Sequence, residues 1–164
     1  MNKRCERSDD DRFVVWTMLL ETNSVLVDLL EAELDEVGGL PLTWYDVLAQ
    51  LEMSADHRLT MKELSRSVLL SKSGITRLVD RMERAGMIER TPCPSDRRVV
   101  YARMTDEGRS LFKKASPVHL RGIERYFTRH LTSDEARVMR SALGKILEAA
   151  RANDQEENAV QAAG

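Results

Sequence analysis

Between Leu70 and Met104 the chain passes directly from one helix into a basic, proline-marked hairpin, and few folds accommodate that order. Leu70-Ser71 opens the helix, Ile75, Leu78, Val79, Met82 and Ala85 recur at the spacing of one buried face, and Gly86 ends it. The opposite face carries Lys72, Ser73, Gly74, Thr76, Arg77, Asp80, Arg81 and Arg84. The hairpin follows at once, from Met87 to Met104, with Pro92 and Pro94 stiffening the exit of its first strand and Ser95-Asp96 supplying turn chemistry. Arg97 and Arg98 fall at its tip. A polar, arginine-bearing helix fits a DNA major groove, and an arginine-tipped ribbon beside it reaches the backbone or the minor groove. Together they predict a winged helix.

A net charge of −2 speaks against a nucleic-acid partner only if it is spread evenly, and it is not. From Thr60 to Arg103 there are ten Lys/Arg against five Asp/Glu, whereas the other residues hold fifteen against twenty-two. A basic module in an acidic body binds phosphates by counterion release, and the acidic remainder limits non-specific adhesion. With 164 residues, 32% charged and 5% aromatic, the chain reads as a helical, soluble protein with room for one real core. No apolar run is read as a membrane span, and the acidic start, Glu6 and Asp9-Asp10-Asp11, is not that of a signal peptide. Two distant cysteines, Cys5 and Cys93, form no disulfide framework, which points to a reducing, cytoplasmic setting.

Five helix starts share one pattern, an apolar residue followed by a hydroxyl cap: Leu42-Thr43, Leu59-Thr60, Leu70-Ser71, Met104-Thr105 and Leu131-Thr132. Thr60 with Glu63 and Thr132 with Glu135 complete capping boxes, while Val47, Leu64 and Ile75 are staple partners for the first three starts. The expected order is four helices, a hairpin and two helices in one mainly α domain, residues 1–164. Helices over 12–37 and 105–152 flank a winged helix-turn-helix region at 43–104. Gly38-Gly39 stops the first helix, Pro117 kinks or breaks the fifth, and residues 153–164 read as a frayed or disordered tail. The first and last helices are apolar over much of their circumference. Phe13, Trp16, Leu20 and Val27 are joined by Val14, Val15 and Leu19, and Val138, Leu143 and Ile146 behave similarly. Such helices need partners on several sides, either a second subunit packed through both termini or a self-contained helical bundle.

Within the basic module, Thr76 and Arg77 are placed to read base edges, and Arg81 and Arg84 to meet phosphates. Asp96, two residues before Arg98, is placed to brace its guanidinium, and Arg90 and Arg103 to touch the backbone from the strands. A solvated polar face with a local Asp80–Arg84 pair is the plain alternative. A winged-helix module that docks on protein instead of DNA is another, distinguished by its weaker salt dependence. Enzyme motifs are lacking: there is no Gly-x-Ser-x-Gly, no phosphate-cradling glycine loop, no His-Glu-x-x-His and no dinucleotide fingerprint.

The run from Leu42-Thr43 through Leu59-Thr60, Leu70-Ser71-Lys72-Ser73-Gly74-Ile75-Thr76-Arg77, Gly86-Met87-Ile88-Glu89-Arg90, Ser95-Asp96-Arg97-Arg98 and Met104-Thr105-Asp106-Glu107-Gly108 resembles the MarR family of bacterial regulators over roughly residues 12 to 150. The resemblance implies a homodimer with intertwined terminal helices that presents two winged lobes to a pseudo-palindromic operator. It further implies a repressor released by a small anionic or aromatic ligand. The family's wing-tip arginine falls on Arg98, and its recognition contacts fall on Ser71, Ser73, Thr76, Arg77 and Arg81. Relatives lodge effectors between the dimer helices and the DNA-binding lobe, for which Trp16, Trp44, Tyr45, His119 and Arg121 are candidates; ordinary core packing is the competing account of these aromatics. Cys5, among Lys3, Arg4 and Arg7, and Cys93, on the wing, are weaker candidates for redox sensing. His57, His119 and His130 lack metal-ligand spacing, and no cofactor is expected.

Overall fold

The computed structural model describes residues 10–68, 72–93, 95, 96 and 98–163, without the side chains of 72, 73 and 154–163. The elements in order are α1 (Asp11–Asp35), α2 (Leu42–Met53), a 3-10 turn (Ala55–His57), β1 (Arg58–Thr60), α3 (Met61–Ser67), α4 (Lys72–Arg84), β2 (Ile88–Pro92), β3 (Val100–Met104), α5 (Asp106–Tyr126), a second 3-10 turn (Thr128–His130) and α6 (Ser133–Ala163). The chain divides into two compact units, Met1–Ile123 and Glu124–Gly164. No described side chain between residues 124 and 153 is buried.

In the first unit the three residues spaced as staple partners lie in the core. Val47, Leu64 and Ile75 are buried together with Leu48, Leu51, Leu78, Val79, Met82 and Ile88, and Leu34 of α1 and Ala115 of α5 join the same cluster. Both capping boxes are present. The Glu63 N–H donates to Thr60 Oγ1 (3.1 Å) and the Thr60 N–H to the Glu63 carboxylate (2.8 Å); Thr132 and Glu135 repeat the exchange at 3.3 and 2.8 Å. Thr105 caps α5 by accepting the Gly108 N–H at 3.0 Å. Thr43 caps nothing. Helix α2 begins one residue earlier, behind Pro41, whose carbonyl accepts the Trp44 and Tyr45 N–H groups at 2.9 and 3.0 Å, and whose ring holds φ at −58°. The Ser71 cap lies outside the described residues.

One strand is invisible in the sequence. Arg58–Thr60 pairs antiparallel with β3, with Leu59 opposite Ala102, so the expected hairpin is a three-stranded sheet in the order β1-β3-β2. Three residues that also carry a helix cap give no alternation to recognise. Helix α5 runs through Pro117 without a break and ends at Tyr126, short of the His130 expected. Proline removes one N–H from the ladder, but Ala115 and His119, buried on either side of it, hold both flanking turns against the lobe. Helix α6 extends to Ala163, past the expected frayed end at 153; the alanines, glutamates and glutamines of that stretch are good helix formers.

Helix α1 departs furthest from an ordinary surface helix. Only Leu34 is buried, while Phe13, Val15, Trp16 and Leu20 stand about half exposed or more. By length and composition alone α1 is apolar enough to cross a membrane, with an 18-residue window of mean hydropathy 1.5, which corrects the reading that no such run exists. Glu21 and Asp28 are the only charges between Phe13 and Leu30, too few to lower the average.

Candidate nucleic-acid interface

Helix α4 separates its faces as its spacing demands. Ile75, Leu78, Val79 and Met82 are at most 2% exposed, and Thr76, Arg77, Arg81 and Arg84 face solvent. Ala85, spaced as a buried residue, is exposed because the helix ends at Arg84. The polar face borders a depression of about 540 Å³ between Thr43 of α2 and Gly74, Arg77, Arg81 and Arg84. Lys72 and Ser73 occupy the first turn of α4, where free N–H groups and a partial positive charge favour anions. Their side chains, and Ser71 and Arg97 altogether, lie outside the described residues.

The corner from α4 into β2 is fixed by backbone bonds. Gly86 takes φ +74°, a conformation that costs a side-chain-bearing residue energy. Its N–H donates to Glu83 O (2.9 Å) and the Met87 N–H to Met82 O (2.9 Å), the paired bonds of a Schellman stop. The start of α5 closes on the same corner: the Thr105 hydroxyl donates to Gly86 O at 2.6 Å. Gly108 presses against it too, since a Cβ there would lie 2.1 Å from Met87 O.

At the wing, Asp96 braces Arg98 as the turn predicts. Its carboxylate accepts the Arg98 N–H (3.0 Å), Nε (3.1 Å) and Nη2 (3.1 Å), and the guanidinium hydrogen bond holds Asp96 below the usual carboxylate range. The Arg98 side chain is nonetheless 91% exposed, so it is oriented and accessible together. Cys93 is held near the turn by Ser95: its sulfur lies 3.1 Å from the Ser95 hydroxyl. That hydroxyl, helped by the Ser95 and Asp96 N–H groups, draws the thiol down to about 7. Cys5 lies outside the described residues.

Two arginines placed against the DNA backbone by the sequence have other partners. Arg103 reaches Glu89 across the sheet at 3.5 Å. Arg90 points to α4, where Nη2 donates to Asp80 (2.5 Å), Nη1 donates to Glu83, and the Arg90 N–H donates to Glu83 at 3.0 Å. Asp80 is thereby taken from the expected pair with Arg84, whose Nε donates instead to the Asp80 backbone carbonyl (3.1 Å). No local spacing announces these contacts, which join residues seven and ten apart across a corner.

The five effector candidates do not converge. Tyr45 and His119 are buried and meet at a tilt of 47°, ring centroids 4.2 Å apart, with Phe112 stacked on Tyr45 at 5.3 Å. The Tyr45 hydroxyl lies 3.4 Å from Ser116 Oγ. His119 Nδ1 is buried without a hydrogen-bond partner, and burial pushes the imidazole pKa down while Glu33 opposes the shift. Trp44 packs on the core edge, Trp16 is exposed on α1 beside Phe13 and Arg12, and Arg121 is exposed. Phe112 and Ser116 were not foreseen because they become neighbours of Tyr45 only when α5 folds onto α2. Also unforeseen is a cluster of Glu52, His57 and Arg109, in which Arg109 Nη1 donates to Glu52 (3.2 Å) and approaches His57 Nε2 (3.2 Å). Among the described residues no group of three His, Cys, Asp or Glu is arranged to hold a metal ion.

This arrangement has relatives. A model described as MarR family matches residues 38–99. The chain is 31% identical to AbsC, a MarR family transcriptional regulator from Streptomyces coelicolor, and superposes on its crystal structure with a TM-score of 0.82, covering 87% of this chain and 96% of that one. Sco3205 from the same organism, solved in complex with DNA, is 29% identical with a TM-score of 0.75, covering 86% of each chain. The transcriptional regulator PecS of Dickeya dadantii is 29% identical over 147 residues, 87% of each protein. These relatives are named as transcriptional regulators, not enzymes, and with an arginine-faced helix beside a braced wing, this chain belongs to the MarR family.

Proposed function

We propose that this protein is a cytoplasmic, sequence-specific DNA-binding transcriptional regulator. It acts as a homodimer that represses from a pseudo-palindromic operator. One observation carries the reading: α4 turns Thr76, Arg77, Arg81 and Arg84 outward, directly beside a wing whose Arg98 is braced and exposed. Arg77 suits bidentate pairing with guanine, while Arg98 suits a minor groove or its phosphates. The DNA complex of Sco3205 supports the same use of this fold. The uncovered apolar sides of α1 and α6 support a second copy as partner.

A phenol or aromatic acid serves as the releasing ligand in this reading. The unpartnered His119 Nδ1, beside the Tyr45 ring, supports that chemistry: an acidic hydroxyl or carboxylate would supply the missing bond. The test is footprinting of the purified protein on DNA upstream of its own gene, followed by a screen of phenols and aromatic acids for release. Protection of an inverted repeat is expected. Equal affinity for that fragment and for bulk competitor DNA overturns the reading.

A further inference from the structure

We propose that Arg90 is a positioning residue that sets the direction of the wing relative to α4, so that operator preference depends on its clamp and not on a DNA contact of its own. The inference rests on the DNA-binding reading above. Two elements joined at one corner can open like a hinge, and the Gly86 stop fixes only the corner itself. Arg90 supplies a second point of attachment two residues into β2. On that strand Ile88 and Arg90 share the side turned toward α4, while Glu89, opposite Arg103, belongs to the outer side. From there one guanidinium spans two carboxylates a turn apart on α4, and the main-chain N–H of the same residue adds a third bond to Glu83. The guanidinium's rigid fork holds direction as well as distance, which a flexible ammonium does not.

The clamp has a second effect. Asp80 lies among Arg77, Arg81 and Arg84 at the border of the depression on the polar face of α4. A bare carboxylate there would repel the phosphates those arginines attract. Paired with Arg90, its charge is offset from behind, leaving the outward arginines as the local field.

The experiment compares the full-length protein with Arg90→Ala, Arg90→Lys and the isosteric double variant Asp80→Asn/Glu83→Gln. Each is titrated against a labelled duplex from its own upstream region and against a scrambled duplex, across a range of salt, with circular dichroism melts run in parallel. The clamp predicts that Arg90→Ala and the double variant both lower the operator-to-scrambled affinity ratio, on the order of tenfold, the scale at which members of one ion network couple. It predicts that lysine, which restores the charge but not the rigid fork, does not rescue that ratio.

A phosphate contact by Arg90 gives the opposite set: lysine restores binding, and the double variant, with arginine freed and two negative charges gone, binds the operator more tightly. That outcome overturns the proposal, as does an unchanged ratio in every variant. If Arg90→Ala melts below the assay temperature, the double variant, which preserves shape, decides between the two. A wild-type protein with no operator preference removes the underlying regulator reading, a result distinguishable from loss of the clamp alone.

Discussion

Arg90 and Arg98 stand eight residues apart on one hairpin and have opposite surroundings. Arg98 is held by a carboxylate two residues away, a contact set by local turn chemistry and therefore legible in the sequence. Arg90 finds its partners on another element, so its environment emerged only with the fold. Replacing Arg98 with Ala is expected to weaken operator binding and reduce its salt dependence while leaving the melting temperature unchanged; equal affinity at every salt concentration would remove it from the interface. Replacing Arg77 with Ala should cost about 1–3 kcal/mol on the operator and relax preference at one base pair, measured by titrating single-substitution duplexes. Cys93 offers a third test. With its thiol drawn down to about 7 by Ser95, alkylation in a Cys5→Ser background should show a rate midpoint near that pH, and Ser95→Ala should move the midpoint upward.

At the level of elements, what was legible follows from how local each signal is. Thr60 and Glu63 lie three residues apart and complete their box as spaced, so Thr60→Ala should cost about 1 kcal/mol of stability by denaturant titration. Thr43 has the same spelling, yet Pro41 pre-empts it, because a proline carbonyl in a fixed backbone offers the first turn its acceptor one residue early. Strand β1 was hidden because a strand this short is defined by its partner, β3, more than forty residues onward. The packing of α5 on α2 was hidden for the same reason, and it is where pH enters. Burial lowers the pKa of His119 in the folded state, so the unfolded chain binds the proton more readily as acidity rises. Stability from this group is complete above the ordinary histidine value near 6.5 and declines as pH falls from there through the depressed folded value. Wild type should therefore lose more melting temperature than His119→Gln between pH 7.5 and 5; parallel melting curves for the two would mean that His119 carries none of the acid sensitivity.

On the scale of the whole molecule, the charge map and the apolar map point in different directions. The basic residues gather on the winged region, and uncovered apolar side chains line α1 and α6, among them Val15, Trp16, Val138 and Ile146. Exposed apolar area of that extent calls for a partner surface. Ile146→Asp with Val138→Asp should give monomers in sedimentation at micromolar concentration, with helix content retained and operator affinity lost; dimers that persist would place the subunit contact elsewhere. One residue that is itself no candidate DNA contact bears on the winged region. Gly108, in the first turn of α5, lies against the Met87 carbonyl, where α4 has just ended and the wing begins. There is no room even for a methyl group, and crowding of this kind costs about 1–3 kcal/mol. Alanine at that position would act as a wedge, tilting the wing and prying up α5 behind it in one movement. A strain carrying it should regulate normally in the cold and lose control on mild warming, although every arginine is still in place.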